Sequence, residues 1–302
     1  MTAPPSNYAL SSVVVRPTLP RDKTSAMALC SLIWDGGDYI PYVWDEWMQS
    51  TNARMWTAEL SGEVAGFIRL DSKIPGQYWL HGLRVHPNLQ GLGIGRRLWD
   101  VAIQAWNRDG VIRLYTAIER TTVRHMAEVS GFNLITRFQL LFAKPVAGDQ
   151  SSFSAVIAEE SQQAVDFFTS MESMTGLRLV DSGWEWYQLT SQYLLDKFIL
   201  PGRCWWWHGR QGLLMSFWDE WDANRVLFIG AGACERTDLP EFVSDCQKLG
   251  NKLNATHIGW NVPLALISID DANRLGFAQV DGEDVECLYE LTGSGSHVQD
   301  VG

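Results

Sequence analysis

Leu80-His81-Gly82-Leu83-Arg84-Val85-His86-Pro87-Asn88-Leu89-Gln90-Gly91-Leu92-Gly93-Ile94-Gly95-Arg96-Arg97-Leu98 is the stretch that decides the fold. Residues 78–85 read as a β-strand that Pro87 stops. The glycine-rich residues 91–95 then lead into a helix over 96–108. Leu98, Val101, Ala102, Ala105 and Trp106 recur there at i, i+3, i+4, i+7 and i+8, which makes one apolar face. A strand, a glycine loop and a helix start in succession can form an anion cradle; the alternative is a strand-to-helix turn that merely favours glycine. Glycine lets backbone N–H groups approach phosphate without a Cβ in the way. The first turn of the helix adds unpaired donors and a positive dipole end. Arg96 and Arg97 stand in that turn, where they can pair with phosphate. A dinucleotide loop requires GxGxxG and a P-loop requires GxxxxGK[ST]; Gly91, Gly93 and Gly95 give GxGxG with no following lysine, so neither matches.

Outward from this loop, the order over residues 12–143 reads β–α–α–β–β–β–α–β–α–β, an α/β fold with a mixed sheet and helices on its faces. Ser61-Gly62 joins strands 54–59 and 64–71 as a hairpin. Strands at 111–118 and 138–143 flank a short helix over 121–130 that Gly131 ends. The polar, turn-rich residues 145–154 read as a linker, so the domains are placed at 1–146 and 147–302. The second half repeats the order weakly: helices at 164–174, 191–198, 239–253 and 264–275, with strands at 204–208, 213–218, 226–231, 256–260 and 287–291. Each half ends helix, strand, helix, Gly-Phe, strand, with Gly131-Phe132 in one and Gly276-Phe277 in the other, which reads as an internal duplication.

The loop resembles the acetyl-CoA-binding signature [QR]xxGx[GA] of the GNAT (Gcn5-related N-acetyltransferase) superfamily, matched by Gln90, Gly93 and Gly95. Val85-His86-Pro87 and Gly131-Phe132 are also typical of that family, and the resemblance covers about residues 12–143. It implies two GNAT-like acyl-CoA N-acyltransferase domains in tandem, with acetyl-CoA as co-substrate and no metal. The strand before the loop is then expected to splay from the next one. The pantetheine arm lies in that gap against the backbone of Leu83, Arg84 and Val85. The pyrophosphate rests on Gln90, Gly91, Leu92, Gly93, Ile94, Gly95 and Arg96. The chemistry is direct acyl transfer: a neutral amine attacks the thioester carbonyl, and an N–H of Leu83 or Val85 stabilises the oxyanion.

Many relatives carry a glutamate base where this chain has His81. Histidine can act as a base near neutral pH; the alternative is a partly buried histidine satisfied by a backbone carbonyl. Glu119 is a second candidate base, or an exposed capping carboxylate. Many relatives place an acid-acting tyrosine where this chain has Ala127, which leaves Tyr115, His125 or no acid at all. The acceptor side is expected in the segment from Trp34 to Trp47, whose aromatic residues, Tyr39 among them, with Asp35, Asp38 and Glu46 suit a cationic or amine acceptor; the alternative is a solvated loop and a core-facing helix. That segment and the strand Gly82–Val85 are loosely similar to histidine N-acetyltransferases, which favours a free amino acid; Arg84 would then meet its carboxylate.

The second half departs from the signature. Its corresponding strand and loop run Val226-Leu-Phe-Ile-Gly-Ala-Gly-Ala-Cys-Glu-Arg-Thr-Asp-Leu-Pro, where Glu235 and Asp238 would repel a pyrophosphate. A degenerate domain that does not bind CoA is expected. Charge follows the same division. Residues 1–150 carry 15 Lys+Arg against 13 Asp+Glu, and residues 151–302 carry 9 against 22. The acidic half argues against nucleic acid as a partner.

The 302 residues suffice for two domains with their own cores. No run approaches the about 18 apolar residues of a membrane helix. Residues 1–20 lack the pattern of a secretory leader. The five cysteines form no CxxC pair and the six histidines no HExxH, so a disulfide framework or zinc site is not expected and a cytoplasmic location is. Fifteen tryptophans read mainly as core or interface. The function expected is acetyl-CoA-dependent N-acetylation of a small amine or free amino acid. The alternatives are a protein or peptide N-acetyltransferase and a non-catalytic acyl-CoA-binding protein.

Overall fold

Val13–Val15, three β-branched residues in a row, open the edge strand β1 (Val13–Pro17), which pairs antiparallel with β2 (Ala53–Leu60). Between them lie α1 (Lys23–Cys30) and α2 (Ile40–Gln49). Ser61 and Gly62 both have positive φ, as a tight hairpin requires, and join β2 to β3 (Glu63–Ile74). Then follow β4 (Gln77–Val85), α3 (Ile94–Trp106), β5 (Val111–Ala117), α4 (Thr121–Val129) and β6 (Asn133–Ala143). The second half contains β7 (Phe153–Ala155), α5 (Ser161–Ser170), β8 (Val180–Asp181), β9 (Trp186–Tyr187), α6 (Ser191–Leu194), which runs into a π-turn over Leu195–Ile199, β10 (Cys204–Trp207), β11 (Gly212–Trp221), β12 (Asn224–Ala233), α7 (Leu239–Lys252), β13 (His257–Pro263), α8 (Ile269–Arg274) and β14 (Val285–Thr292). This computed structural model describes residues 12–106, 108–148, 152–171, 177–221, 223–279 and 285–293. Most of the stretch read for a leader, residues 149–151 of the expected linker and residues 172–174 of the expected helix 164–174 lie outside the described residues.

Two compact units result. Unit 1 comprises Met1–Leu114, Val129–Phe132 and Glu290–Gly302; unit 2 comprises Tyr115–Glu128 and Asn133–Tyr289. Each therefore draws on separate stretches of chain, whereas the sequence suggested one cut after residue 146. In unit 1 the strands run β1-β2-β3-β4-β5, antiparallel except for the parallel pair β4/β5. Helix α3 buries Ile94, Leu98, Trp99, Ala102 and Trp106. Both indoles are satisfied, Trp99 by Ser130 Oγ at 3.0 Å and Trp106 by the Asp109 carbonyl at 2.9 Å.

In unit 2 the order is β14-β6-β13-β12-β11-β10-β7, in which β12/β13 is a parallel pair and β6/β13, β11/β12, β10/β11 and β7/β10 are antiparallel. The succession β12, α7, β13, α8, β14 repeats the chain order β4, α3, β5, α4, β6 of the first half. Trp207 and Trp260 belong to the core on one face, and Leu140, Phe142, Phe217, Val226 and Phe228 form the cluster on the other. Two sequence expectations change. The helix placed over 264–275 is only Ile269–Arg274, capped by Ser268, whose Oγ accepts the Asp271 N–H at 3.1 Å. The strand placed at 138–143 begins earlier, at Asn133. All five cysteines are buried and unpaired. No helix of the described residues is long and apolar enough to cross a membrane.

Candidate active site

β4 and β5 pair only at Gln77–Val111, Tyr78–Ile112 and Trp79–Arg113, although β4 continues to Val85. Beyond Trp79 the strands part. The His86 N–H bonds to the Ala65 carbonyl at 2.9 Å and so points to β3. Alternation along the strand turns the N–H and C=O groups of Leu83 and Val85 the other way, toward the gap. Gly91 and Gly93 have φ of +78° and +76°, a conformation that side chains oppose. A Cβ at Gly91 would meet nothing within 4 Å, and one at Gly95 would lie 3.5 Å from Val85 Cγ2, so the loop backbone stays open. Gln90 leans back toward the Val85 carbonyl at 3.5 Å. Ile94 is buried and anchors the helix start, and Leu92 is half-buried in the loop.

The two arginines of the first turn are already engaged. Arg96 Nε bonds to Asp100 Oδ1 at 2.8 Å, and Arg97 Nη1 bonds to the Val13 carbonyl at 3.1 Å. The Arg96–Asp100 pair is exposed at spacing i, i+4 and worth about 0.5 kcal/mol, so a phosphate would displace it readily.

His81 is the expected base, and its surroundings are the clearest feature of the site. Its register partner across the strands is Arg69, and Asp71 follows two residues on, so all three share a face. Asp71 Oδ2 lies 2.5 Å from His81 Nε2. Asp71 also accepts from Arg69 Nε at 3.0 Å and Nη2 at 2.6 Å. Burial raises the Asp71 pKa, but the hydrogen bonds and charges of His81 and Arg69 outweigh it and hold the carboxyl well below the usual range. The sequence reading missed Arg69, Asp71 and Trp47. The i, i+2 spacing of Arg69 and Asp71 on a predicted strand was the available signal. Trp47 packs against His81 with ring centroids 4.9 Å apart and lies 4.8 Å from the Arg69 guanidinium, whose Nη1 bonds to the Trp47 carbonyl. It sits directly on Gly82, which has φ of +68° at a bulge in β4.

Two residues of the expected acceptor side, Asp38 and Arg84, are paired with each other. Asp38 is buried, and Arg84 holds it through Nε at 2.8 Å and Nη2 at 3.0 Å. The Ile40 N–H also bonds to Asp38 at 3.2 Å. Burial, then the nearby Asp38 charge, pushes the Cys30 thiol up to about 12. The Arg84 guanidinium stacks 4.5 Å from the Trp34 ring and 5.6 Å from the Tyr39 ring. Tyr39 meets Trp47 edge-on at 6.1 Å, and Asp35 is exposed with φ of +53°.

The remaining candidates fall in unit 2. Glu119 is exposed in the turn before α4, and Ala127 is fully buried. The Tyr115 ring stacks on Trp186 at 4.5 Å, and its hydroxyl donates to Asn261 Oδ1 at 3.3 Å. Asn261 Nδ2 donates to Asp181 Oδ2 at 2.9 Å. Burial raises the Asp181 pKa to about 7, opposed by bonds from Asn261 and the Gly183 and Trp184 N–H groups. β12 and β13 pair only as far as Ile229–Trp260. Just beyond, Asp181 of the β8–β9 hairpin reaches both strands. It bonds Asn261 of β13, and its carbonyl oxygen lies 2.3 Å from where a Cβ of Gly230 would stand on β12. The place that corresponds to the gap of unit 1 is thus covered by the unit's own hairpin.

Residues 23–132 match the model of the acetyltransferase (GNAT) family. No curated protein matches the chain in sequence. Among solved structures, the chain is similar to a GCN5-related N-acetyltransferase from Sphaerobacter thermophilus, at 13% identity over 93% of this chain and 95% of that one, TM-score 0.62. It is similar to a protein from Thermoplasma acidophilum described as a candidate acetyltransferase, at 15% identity over 92% and 99% of the two chains, TM-score 0.59. It is also similar to the GCN5-related glucosamine N-acetyltransferase region of a fungal multi-domain GH3 β-N-acetylglucosaminidase, at 14% identity, TM-score 0.64, covering 93% of this chain but 38% of that one. The chain has the GNAT fold, a mixed α/β architecture, with the family's sequence match in residues 23–132.

Proposed function

We propose that the chain is an acetyl-CoA-dependent N-acetyltransferase acting on a small amine or a free amino acid such as histidine. The observation that carries this reading is the parting of β4 from β5 beyond Trp79, with His81 on the parting strand and the Gly91–Gly95 cradle at its end. Acetyl-CoA fits that arrangement: the backbone of Leu83, Arg84 and Val85 takes the pantetheine arm, and residues 90–96 take the pyrophosphate.

His81 serves as the base. An Nε2–H donated to Asp71 leaves the Nδ1 lone pair for the acceptor's proton. The amine nitrogen attacks the thioester carbon while Nδ1 takes its proton. An N–H from Leu83 or Val85 stabilises the oxyanion. The C–S bond then breaks, the amide forms, and CoA departs as thiolate. Arg69 neutralises much of the Asp71 charge, so Asp71 acts mainly by fixing the tautomer and orientation of the ring. Tyr115 and Glu119 remain the second-rank candidates for acid and base.

The acceptor wall is aromatic. Trp34, Tyr39 and Trp47 surround an Arg84–Asp38 pair with no net charge, which suits an amine flanked by apolar or aromatic groups. The catalytic domain is residues 1–146. Residues 147–302 form a degenerate domain whose own hairpin covers the place of the CoA gap. The test is acetyl-CoA-dependent thiol release with free amino acids including histidine, polyamines, aminoglycosides, glucosamine and short peptides. Release with one small amine is expected. Silence across the panel with acetyl-CoA bound would overturn the reading.

A further inference from the structure

We propose that unit 2 carries a separate binding pocket for a small aromatic carboxylate, bounded by Phe142, Lys144, Trp221 and His257. The cavity measures about 360 Å³, which suits a ligand of one or two rings. Its walls come from the end of β6, the start of β13 and the β11–β12 hairpin, which ends in Trp221 and Asn224. Its residues all belong to unit 2, and none belongs to the acetyl-transfer site proposed above.

The polar end is built on a cross-strand pair. Ile258 lies opposite Ala143, which sets His257 opposite Lys144. Lys144 Nζ lies 2.6 Å from His257 Nε2. An ammonium group only donates, so His257 accepts through the Nε2 lone pair and is neutral. Burial, then the Lys144 charge, lowers the His257 pKa and keeps it so. Its Nδ1 is turned to Thr256 Oγ1 at 3.3 Å. Lys144 spends one of its three donors on this bond. Among the described residues no carboxylate lies within ion-pair distance of Lys144, although residues 151–302 carry 22 acidic against 9 basic side chains. In so acidic a surrounding, a cation without a counter-carboxylate at the rim of a cavity is a ready anchor for one carboxylate. The same negative field disfavours polyanions.

The apolar end is aromatic and fixed. Phe142 meets Trp221 at 5.8 Å with ring planes 44° apart, and meets His257 edge-on at 6.5 Å. The Phe142 backbone bonds to Ala278 in both directions, at 2.9 and 2.8 Å, and Trp184 backs Trp221 at 5.7 Å. Two tilted rings held this firmly present faces and edges to a planar ligand, whose acid group then reaches Lys144.

The test uses the full-length protein and isothermal titration with 2-naphthoate and, as neutral counterpart, 2-naphthamide. Saturable binding of the acid is expected, with the amide about tenfold weaker or worse. Lys144→Met is expected to weaken the acid about tenfold, leave the amide unchanged and leave acetyl-CoA binding intact. No saturable binding of 2-naphthoate, or equal affinity for acid and amide, would overturn the proposal. So would wild-type affinity in Lys144→Met. Lys144 is exposed and its truncation leaves the core intact, so this variant decides even if Trp221→Ala fails to fold.

Discussion

His81 Nε2 and Asp71 Oδ2 are 2.5 Å apart, and the same carboxylate anchors the buried Arg69. One anion therefore holds together a ring that must stay oriented and a cation that must stay paired.

Asp71→Asn separates those duties. An amide can donate to Nε2, which would move the ring proton to Nδ1 and remove the basic lone pair from the acceptor side. We expect kcat to fall about 100-fold or more with acetyl-CoA affinity nearly unchanged, measured by thiol release and by calorimetry. His81→Ala should give a similar loss of kcat, and the double variant should add little to either. Wild-type turnover in His81→Ala would clear the ring of the base role.

Gly82→Ala tests the seat of Trp47. The new Cβ would lie 2.9 Å from the indole at a residue with φ of +68°. Strain and clash together should cost about 2–3 kcal/mol, read from the urea midpoint. Because Trp47 also packs on His81, kcat should fall at temperatures where the variant is still folded.

Gly93→Glu should abolish acetyl-CoA binding in calorimetry. It puts bulk and negative charge into the loop at a residue with φ of +76°. Unchanged affinity would remove the phosphate-cradle assignment.

Glu290→Ala should destabilise unit 1 by about 3 kcal/mol. Arg113 is fully buried, and its Nε bonds to Glu290 Oε2 at 2.7 Å while Nη1 bonds to Gln77 at 3.0 Å. Removing the carboxylate leaves a buried cation short of its anion. A denaturation midpoint equal to wild type would show that Glu290 carries no structural charge.

Asp181 makes the stability of unit 2 depend on pH. Its folded pKa, raised to about 7, exceeds the unfolded value of 3.8, so the folded state binds more protons between these values. The stability this group contributes is full below the unfolded value and is lost as pH rises through about 7. Thermal unfolding of wild type and Asp181→Asn should therefore diverge, with the variant gaining relative stability at pH 8 over pH 5. A difference that does not change with pH would contradict this.

Much of unit 1 was legible because its signals are local. The spacing of Leu98, Ala102 and Trp106 defined α3, and the run from Pro87 to Gly95 defined the loop. His81 was legible as a candidate by position on its strand. Its control was not, because Arg69 and Asp71 reach it through strand register, which a linear pattern does not encode. The pairing of Asp38 with Arg84 was not legible, because they are 46 residues apart in sequence and meet only when the turn before α2 folds against β4. The two-residue strands β8 and β9 are too short to show a period, so the hairpin that covers β12 and β13 had no signature.

The Gly293 N–H bonds to the Gly110 carbonyl at 2.7 Å, beside the Arg113–Glu290 pair, and all four residues belong to unit 1. On a ribosome, at about 5–20 residues per second, Glu290 is made roughly 9–35 seconds after Arg113. Throughout that interval the nascent first unit holds an arginine whose Glu290 partner does not yet exist. Its completion thus waits until residue 290 has been made, and a ribosome stalled anywhere before that point would leave it unfinished.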